Sequence, residues 1–212
     1  MKYLSILSIA LLLCINLVAQ DLKEIRLNAP NKNRGVSIMQ AFDKRQSSKE
    51  FSDEKLSLQD MSDLLWAACG INRPESGKRT APSSQNTQDI DVYVCLEEGT
   101  YIYNATTHSL QPVTKIDLRA LTNESLTSQS APCILLIVAD SSRYNAKNTT
   151  EHILNMCKVD AGIVSQNISL CCAGIGIGTR PRARMKHEEL RKGLSLKDSQ
   201  LLILNHPVGY IK

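Results

Sequence analysis

Aromatic side chains are scarce in this chain, which has 212 residues but only one tryptophan and two phenylalanines. Proteins that bind single-stranded nucleic acid stack the bases on aromatic platforms, and Phe42, Phe51 and Trp66 are too few to build one. The net charge of +4 is small, and basic residues are spread along the chain. The basic run at 180–184 contains no aromatic residue, which favours a solvated loop. The composition therefore does not predict a nucleic-acid-binding protein.

Motifs for a protein nucleophile or a zinc site are also missing. The sequence has no Gly-x-Ser-x-Gly and no Cys-x-x-Cys, and its histidines at 108, 152, 187 and 206 have no obvious serine or cysteine partner. Each histidine is therefore expected on the surface or in the core. The spacing of the six cysteines after residue 20 favours small buried residues over a disulfide framework. A thiol or hydrolytic enzyme using Cys171, Cys172 or a histidine is the weakest of the alternatives.

The first 19 residues are predicted to be a signal peptide. A short positive start precedes an apolar run at 4–18, and Ala19 is a small residue suited to cleavage. The run is too short for a comfortable membrane span, and no twin arginine is present. Bulky residues before Cys14 disfavour a lipid anchor. We therefore expect an extracytoplasmic protein, periplasmic or secreted, with a polar tether at 20–34.

Residues 35–212 predict one α+β domain, a small mixed β-sheet surrounded by helices, because helical patterns cluster early and late around the strands. Ser57 and Asp60 form a capping box for a helix that Gly70 is expected to end as a left-handed cap. The other predicted elements are strands at 90–96, 101–103, 133–139 and 201–204, and one long or two short helices at 151–173. The continuous apolar run at 133–139 indicates a strand buried on both faces.

A glycine-rich stretch, Gly174-Ile175-Gly176-Ile177-Gly178, follows the long helical pattern. A dinucleotide-binding loop follows a strand and opens a helix, so this position and spacing exclude that motif. Two interpretations stay open. The glycines either cap the helix with a flexible exit, or they allow a flat ligand to approach the backbone where any Cβ would collide.

A basic segment at 44–51 lies between two apolar patterns. Arg45, Ser47 and Lys49 alternate, so in an extended segment their side chains would lie on one face. A guanidinium, a hydroxyl and an ammonium on one face can hold a phosphate group. The alternative is a solvated basic helix end.

A polar loop at 79–86 precedes the first long predicted strand. Its amide and hydroxyl groups are able to hydrogen-bond the edge of a heteroaromatic ring. The alternative is an ordinary polar loop without a ligand.

Taken together, these segments resemble the nitroreductase family of FMN flavoproteins over residues 36–212. The resemblance is nearest to the branch whose dehydrogenases oxidise thiazolines and oxazolines in modified peptides. Three blocks carry it in the family's order: 45–51 with the helix at 56–70; 64–73 with 79–84 and the strand at 91–94; and 161–170 with 176–179, the last strand and 207–209. No single motif is specific, but the ordered set is.

The resemblance implies a homodimer that binds FMN across the subunit interface. Residues that would hold the phosphate and ribityl chain are Arg45, Ser47 and Lys49, with Gln46 nearby and Lys212 as an added contact. Residues that would reach the flavin from the partner subunit are Pro82, Ser83, Ser84 and Asn86. Gly176, Ile177 and Gly178 would lie along the isoalloxazine ring, and Arg79 is the candidate cation near N1.

The implied activity is ping-pong electron transfer through FMN to a small-molecule substrate or acceptor, with NAD(P)H as the family's usual donor. No protein nucleophile and no metal would be needed. The chain departs from the family's pattern at Gln46 and Lys49, and little sequence is left to cover the active site. The predicted export leaves the donor open, and a non-catalytic FMN carrier on the same scaffold is the main alternative.

Overall fold

The structure is a computed structural model that describes residues 22–123, 131–145 and 149–212. The strands are β1 Ile25–Arg26, β2 Ile71–Arg73, β3 Lys78–Arg79, β4 Ile90–Leu96, β5 Gly99–Asn104, β6 Ser109–Thr114, β7 Cys133–Asp140, β8 Gly178–Thr179 and β9 Gln200–Gly209. The helices are α1 Ile38–Lys44, α2 Leu58–Cys69, α3 Glu151–Ile175 and α4 His187–Gly193. The predicted signal peptide at 1–19 lies outside the described residues.

Seven strands form one sheet in the order β1-β6-β5-β4-β7-β9-β8. Each neighbouring pair of strands in it is antiparallel. The predicted α+β class with flanking helices is confirmed, but the expectation of a small mixed sheet is wrong. An apolar run such as β7 indicates burial on both faces, but it does not indicate whether the adjacent strands are parallel or antiparallel to it.

The central strand β7 alternates between two cores. Leu135 and Ile137 belong to the core under α2 and α3, whereas Leu136 and Val138 belong to the core on the opposite face. The second core includes Leu190 of α4. Because side chains alternate along a strand, this double coverage requires an apolar residue at every position of β7 from Cys133 to Ala139.

Helix α2 begins where the capping pattern predicts. The Ser57 Oγ accepts a hydrogen bond from the Asp60 N–H at 3.0 Å. Gly70 ends the helix, but the predicted left-handed cap is wrong, since its φ is −70° and its ψ is 163°. A Cβ at position 70 would lie 2.5 Å from Trp66 Cδ1. Close packing on Trp66, rather than a special φ, therefore excludes a side chain here.

The segment predicted as a polar tether packs against the domain from residue 22 onward. Strand β1 pairs with β6, and Ile25 contacts the main core. Arg34 forms ion pairs with Asp60 at 2.7 Å and Asp63 at 2.9 Å. These contacts attach the segment before α1 to the start of α2, so it does not behave as a free linker.

Helix α3 is the long helix that the pattern predicts, and it is continuous. Thr150 caps its start, where the Oγ1 accepts a hydrogen bond from the Ile153 N–H at 3.3 Å. Polar residues lie on its buried side, among them Asp160, Ser165 and Ser169. Within the described ranges, no helix combines the length and apolarity needed to cross a membrane.

Candidate functional site

A cavity of about 400 Å³ lies where the C-terminal end of α3 meets the segment after α1. We call it the Arg45 cavity. Its lining residues are Asp43, Lys44, Arg45, Gln46, Ser48, Ser169, Cys172, Ala173, Gly176, Ile177, Thr179 and Ile211. Its volume falls in the range of small-molecule sites.

Backbone hydrogen bonds hold the basic segment against the sheet edge. Helix α1 ends at Lys44, and Arg45 takes an extended conformation while its N–H donates to the Ala41 carbonyl at 3.0 Å. Three residues later, the Ser48 N–H donates to the Thr179 carbonyl at 2.9 Å. The segment is thereby fixed beside β8, with Lys44 and Arg45 in the lining of the cavity.

Gly176 and Gly178, which follow α3, have different structural roles. Gly176 is the C-cap of α3 with a φ of +79°, so the helix-cap interpretation is confirmed at this position. A Cβ at Gly176 would meet no atom within 4 Å, whereas a Cβ at Gly178 would lie 2.8 Å from Ser48 Oγ. Gly178 therefore lets β8 pack against the basic segment. Close approach of a ligand to these glycines stays a prediction.

The structure brings together some of the predicted phosphate-binding residues. Arg45 and Gln46 line the cavity, but Ser47 and Lys49 are exposed and lie outside its lining. Residues 45–50 belong to neither a helix nor a strand, so the strict alternation that grouped Arg45, Ser47 and Lys49 does not hold. Thr179 of β8 and Ser48 also line the cavity and were not predicted, because a short edge strand leaves almost no sequence pattern.

Predicted residues from the C-terminus and the glycine stretch lie at or next to the cavity. Ile177 lines it directly, and Ile211 brings the adjacent Lys212 to the same side of the domain. Lys212 itself is exposed and does not line the cavity. Its assignment to a cofactor phosphate stays a prediction.

The loop predicted to act from a partner subunit does not line the Arg45 cavity of its own chain. Ser84–Asn86 forms a 3₁₀ turn, and the Ser83 Oγ accepts a hydrogen bond from the Gln88 N–H at 2.8 Å. Pro82 and Asn86 are exposed, and Ser84 is half-buried. This placement leaves the loop accessible to a second subunit, which is the arrangement that the prediction requires.

Arg79 lies at a different cavity, of about 410 Å³, with Arg143, Asp91 and Tyr103 in its lining. The Arg79 Nε donates to the Gln88 Oε1 at 2.9 Å. Arg79 therefore does not join the Arg45 cavity of the same chain, and its predicted role beside a flavin stays a prediction.

The buried histidine, His206, has structural partners on both ring nitrogens. Ser165 Oγ lies 2.8 Å from His206 Nε2, and Thr179 Oγ1 lies 3.1 Å from His206 Nδ1. Because Thr179 Oγ1 donates to the Pro207 carbonyl, it is left to accept from Nδ1–H, and Nε2 is left to accept from Ser165. Burial, with the nearby Arg182 charge, lowers the pKa of His206 to about 3. The residue is neutral, and in the described structure its ring nitrogens contact hydroxyl groups rather than the carboxylate that orients a catalytic base.

The remaining histidines and the cysteines also give no support to a hydrolytic or thiol enzyme. The Tyr103 hydroxyl lies 2.9 Å from His108 Nδ1, and His152 and His187 are exposed. Each of the six described cysteines is a free thiol, and all but the half-buried Cys171 are buried. Burial raises the pKa of the Cys171 thiol to about 12, which disfavours the reactive thiolate. In the described part of the chain, no group of three or more His, Cys, Asp or Glu residues is arranged to hold a metal ion.

Comparison with known proteins connects this geometry to a family. The sequence profile of the nitroreductase family matches residues 42–210. A protein of Methanocaldococcus jannaschii, provisionally named a nitroreductase, is 29% identical over 186 residues, which cover 82% of this chain and 91% of the relative. The crystal structure of a provisionally named nitroreductase from Ralstonia eutropha JMP134 has 32% identity, covers 91% of both chains and superimposes with a TM-score of 0.85.

The E. coli microcin synthetase McbBCD complex with truncated pro-MccB17 contains a chain of the same fold. It superimposes with a TM-score of 0.70 at 20% identity and covers 91% of this chain and 79% of that one. The profile match begins within α1 and extends past the end of β9, so it includes every residue of the Arg45 cavity lining except Ile211. This chain belongs to the nitroreductase family.

Proposed function

We propose that the protein is an exported FMN-dependent oxidoreductase that works as a homodimer. The observation that carries the proposal is the Arg45 cavity, which joins a basic segment to the glycine-capped end of α3 in a nitroreductase fold. Family membership supports oxidoreductase activity. The cofactor, the dimer and export are the finer parts of the proposal.

The residues of the cavity fit FMN in charge and in shape. Lys44 and Arg45 place two cations beside one carboxylate, Asp43, and arginine binds phosphate oxygens as a bidentate fork. At Gly176 a side chain would project into open space, so its absence leaves room for a planar ring. Ile177 and Ile211 offer apolar surface in the same lining.

Bound FMN would supply the electron chemistry, in which one substrate reduces it and a second substrate reoxidises it. The chain's own task is to bind and orient. Arg45 and Lys44 would hold the phosphate and Gln46 would offer an amide. The 82–86 loop of a second subunit would reach the edge of the ring. None of these tasks requires a protein nucleophile, in agreement with the burial of five of the six described thiols and of His206.

The dimer is supported by an apolar surface beside the cavity. On α1, Ile38 is 60% exposed, Met39 is 72% exposed and Phe42 is 52% exposed. Adjacent exposed apolar side chains of this size are a usual mark of a protein contact. A second copy packed on α1 would cover them and bring its own 82–86 loop towards the Arg45 cavity.

Reduction of the FMN-loaded protein distinguishes an enzyme from a carrier. The sequence between β7 and α3 is only ten residues long, 141–150, so little sequence is left for a lid over the active site, which is the feature that favours a carrier. We expect stopped-flow mixing with NADH or NADPH to bleach the flavin band, and a nitroaromatic or quinone acceptor to restore it. Bleaching by dithionite alone would favour the carrier or an enzyme with another donor.

Export is proposed from the N-terminal sequence at 1–19. Expression of the whole chain in a bacterium with fractionation should place a shortened protein outside the cytoplasm. A full-length protein retained in the cytoplasm would contradict this part of the proposal without affecting the assignment of the cofactor.

A further inference from the structure

Two buried carboxyl groups lie beneath the 83–88 loop, and the proposed chemistry does not use them. Asp89 is 0% exposed and directly precedes β4, whereas Asp160 is 3% exposed and lies on the buried side of α3. A buried carboxylate is costly unless it is paired or hydrogen-bonded. Two of them side by side therefore require a structural explanation.

Asp160 connects α3 to the loop. Its Oδ2 accepts a hydrogen bond from the Ser84 N–H at 2.8 Å and another from the Tyr144 hydroxyl at 3.3 Å. Asp89 is attached to the same loop, since its Oδ1 accepts from the Thr87 Oγ1 at 3.2 Å. Both ends of the turn at Ser84–Asn86 are thus held by a carboxyl group.

The loop needs such support because its backbone is strained. Gln85, Asn86 and Gln88 have φ values of 53°, 56° and 49°. Non-glycine residues take these left-handed values at an energetic cost, and they persist only where the surroundings enforce them. The hydrogen bonds from the loop to Asp89 and Asp160 help to hold its backbone in this conformation.

One oxygen of the pair, Asp89 Oδ2, lacks a donor unless the pair carries a proton. The Asp89 Oδ2 is buried and has no hydrogen-bond partner in the described structure. Among the described residues, the groups that face the pair are the Cys157 thiol, the Tyr144 hydroxyl and the Arg143 guanidinium. Burial and the charge of Asp160 raise the pKa of Asp89 to about 6. A proton on one carboxyl would supply the missing donor to the other.

We propose that Asp89 and Asp160 share one proton, and that this hydrogen-bonded pair positions the 83–88 loop for the ligand in the Arg45 cavity of a second copy. The two aspartates are positioning residues and do not touch the ligand. The inference rests on the proposed function. It adds that flavin affinity depends on pH through this pair.

The first test compares D89N with the natural protein. Asparagine keeps a hydrogen-bond donor towards Asp160 at every pH, so the loop should stay fixed. FMN dissociation constants are measured by fluorescence quenching from pH 5.5 to 8. The phosphate of FMN titrates in the same way with both proteins. The ratio of the two dissociation constants therefore removes the ligand's own pH dependence and leaves the contribution of the Asp89–Asp160 pair. As the pH rises across this range, we expect the FMN dissociation constant of the natural protein to increase about tenfold relative to that of D89N.

The second test needs no flavin. Hydrogen exchange of the amides at 83–88 is measured in the cofactor-free protein and compared with D89N at the same pH. The natural protein should lose protection there above pH 6, while D89N keeps it. This readout is independent of FMN. A protein that binds no flavin would contradict the proposed function, but the shared proton of Asp89 and Asp160 could still be tested by hydrogen exchange.

A third variant covers the case in which D89N does not fold. D160N keeps an acceptor for the Ser84 N–H and turns its amide towards Asp89, so it should reproduce the pH-independent loop. The proposal is overturned if the ratio of constants stays level with pH, or if loop protection is the same in the natural protein and the amide variants at every pH.

Discussion

Arg45 and Lys49 carry the same charge four residues apart, yet the structure gives them different surroundings. Arg45 lines the cavity, and Lys49 points outside it. R45A should therefore weaken FMN binding roughly 10- to 100-fold, the usual range for a lost charge-assisted hydrogen bond. K49A should match the surface control K192A within about threefold. Fluorescence titration of the three variants checks this, and equal losses in R45A and K49A would contradict the assignment.

The burial of His206 predicts that the protein loses stability at acid pH. Its pKa is about 3 in the folded protein and near the ordinary value of 6.5 when unfolded. The unfolded chain then binds a proton that the folded protein rejects, so this contribution is complete above pH 6.5 and is lost as pH falls towards 3. Between pH 7 and pH 4.5 the loss amounts to about 2.5 kcal/mol by linkage.

H206Q checks that assignment, because glutamine has hydrogen-bonding groups for Ser165 and Thr179 but no titration. Urea unfolding at pH 7 and pH 4.5 should show the natural protein losing more stability than H206Q. Asp89 acts in the opposite direction, since its raised pKa stabilises the fold below pH 4 and that gain is lost as pH rises through 6. The comparison with H206Q cancels the Asp89 contribution, and equal losses in both proteins would contradict a neutral buried histidine.

At the scale of elements, the long periodic segments were predictable and the short ones were not. The cap at Ser57, the alternation of β4, the apolar run of β7 and the length of α3 all follow from hydrophobic period and turn chemistry. Strands β1 and β8 have two residues each, too few for any period to appear. Strand direction in the sheet was also unpredictable, because a doubly buried strand has the same composition in both arrangements.

The candidate site was predictable as segments rather than as side chains. The basic segment and the glycine stretch do meet, but which of Arg45, Ser47, Ser48 and Lys49 face the cavity depends on the irregular backbone after α1. The Asp89–Asp160 pair left one usable sequence signal. Asp160 occupies an apolar-face position of α3, seven residues after the buried Ile153 and four before the buried Val164.

Gly178 offers a test of how β8 supports the basic segment. In G178A the new Cβ would lie 2.8 Å from Ser48 Oγ and 2.9 Å from Ile211 Cγ1, so the segment must move. We expect a loss of about 1–3 kcal/mol in the free energy of unfolding together with weaker FMN binding. G77A is the control, since its φ of +63° costs stability but its Cβ meets nothing within 4 Å. Unchanged FMN affinity in G178A would argue against the proposed support.

At the scale of the whole molecule, the account depends on a second copy. The exposed apolar side chains of α1 lie beside a cavity that one chain leaves open. M39E combined with F42E should shift the protein from dimer to monomer in light-scattering measurements and lower FMN affinity in parallel, because a monomer lacks the partner's 82–86 loop. The matched control V113E changes an exposed apolar residue on β6 and should do neither. A monomeric double variant with unchanged affinity would exclude a shared site.

Titration of the mature chain with FMN, followed by absorbance, fluorescence and molar mass in the same sample, tests the central claim most directly. The account predicts a dimer that quenches FMN fluorescence, takes on the yellow flavin bands and saturates at one FMN per subunit. A protein that stays monomeric and colourless in excess FMN would contradict it.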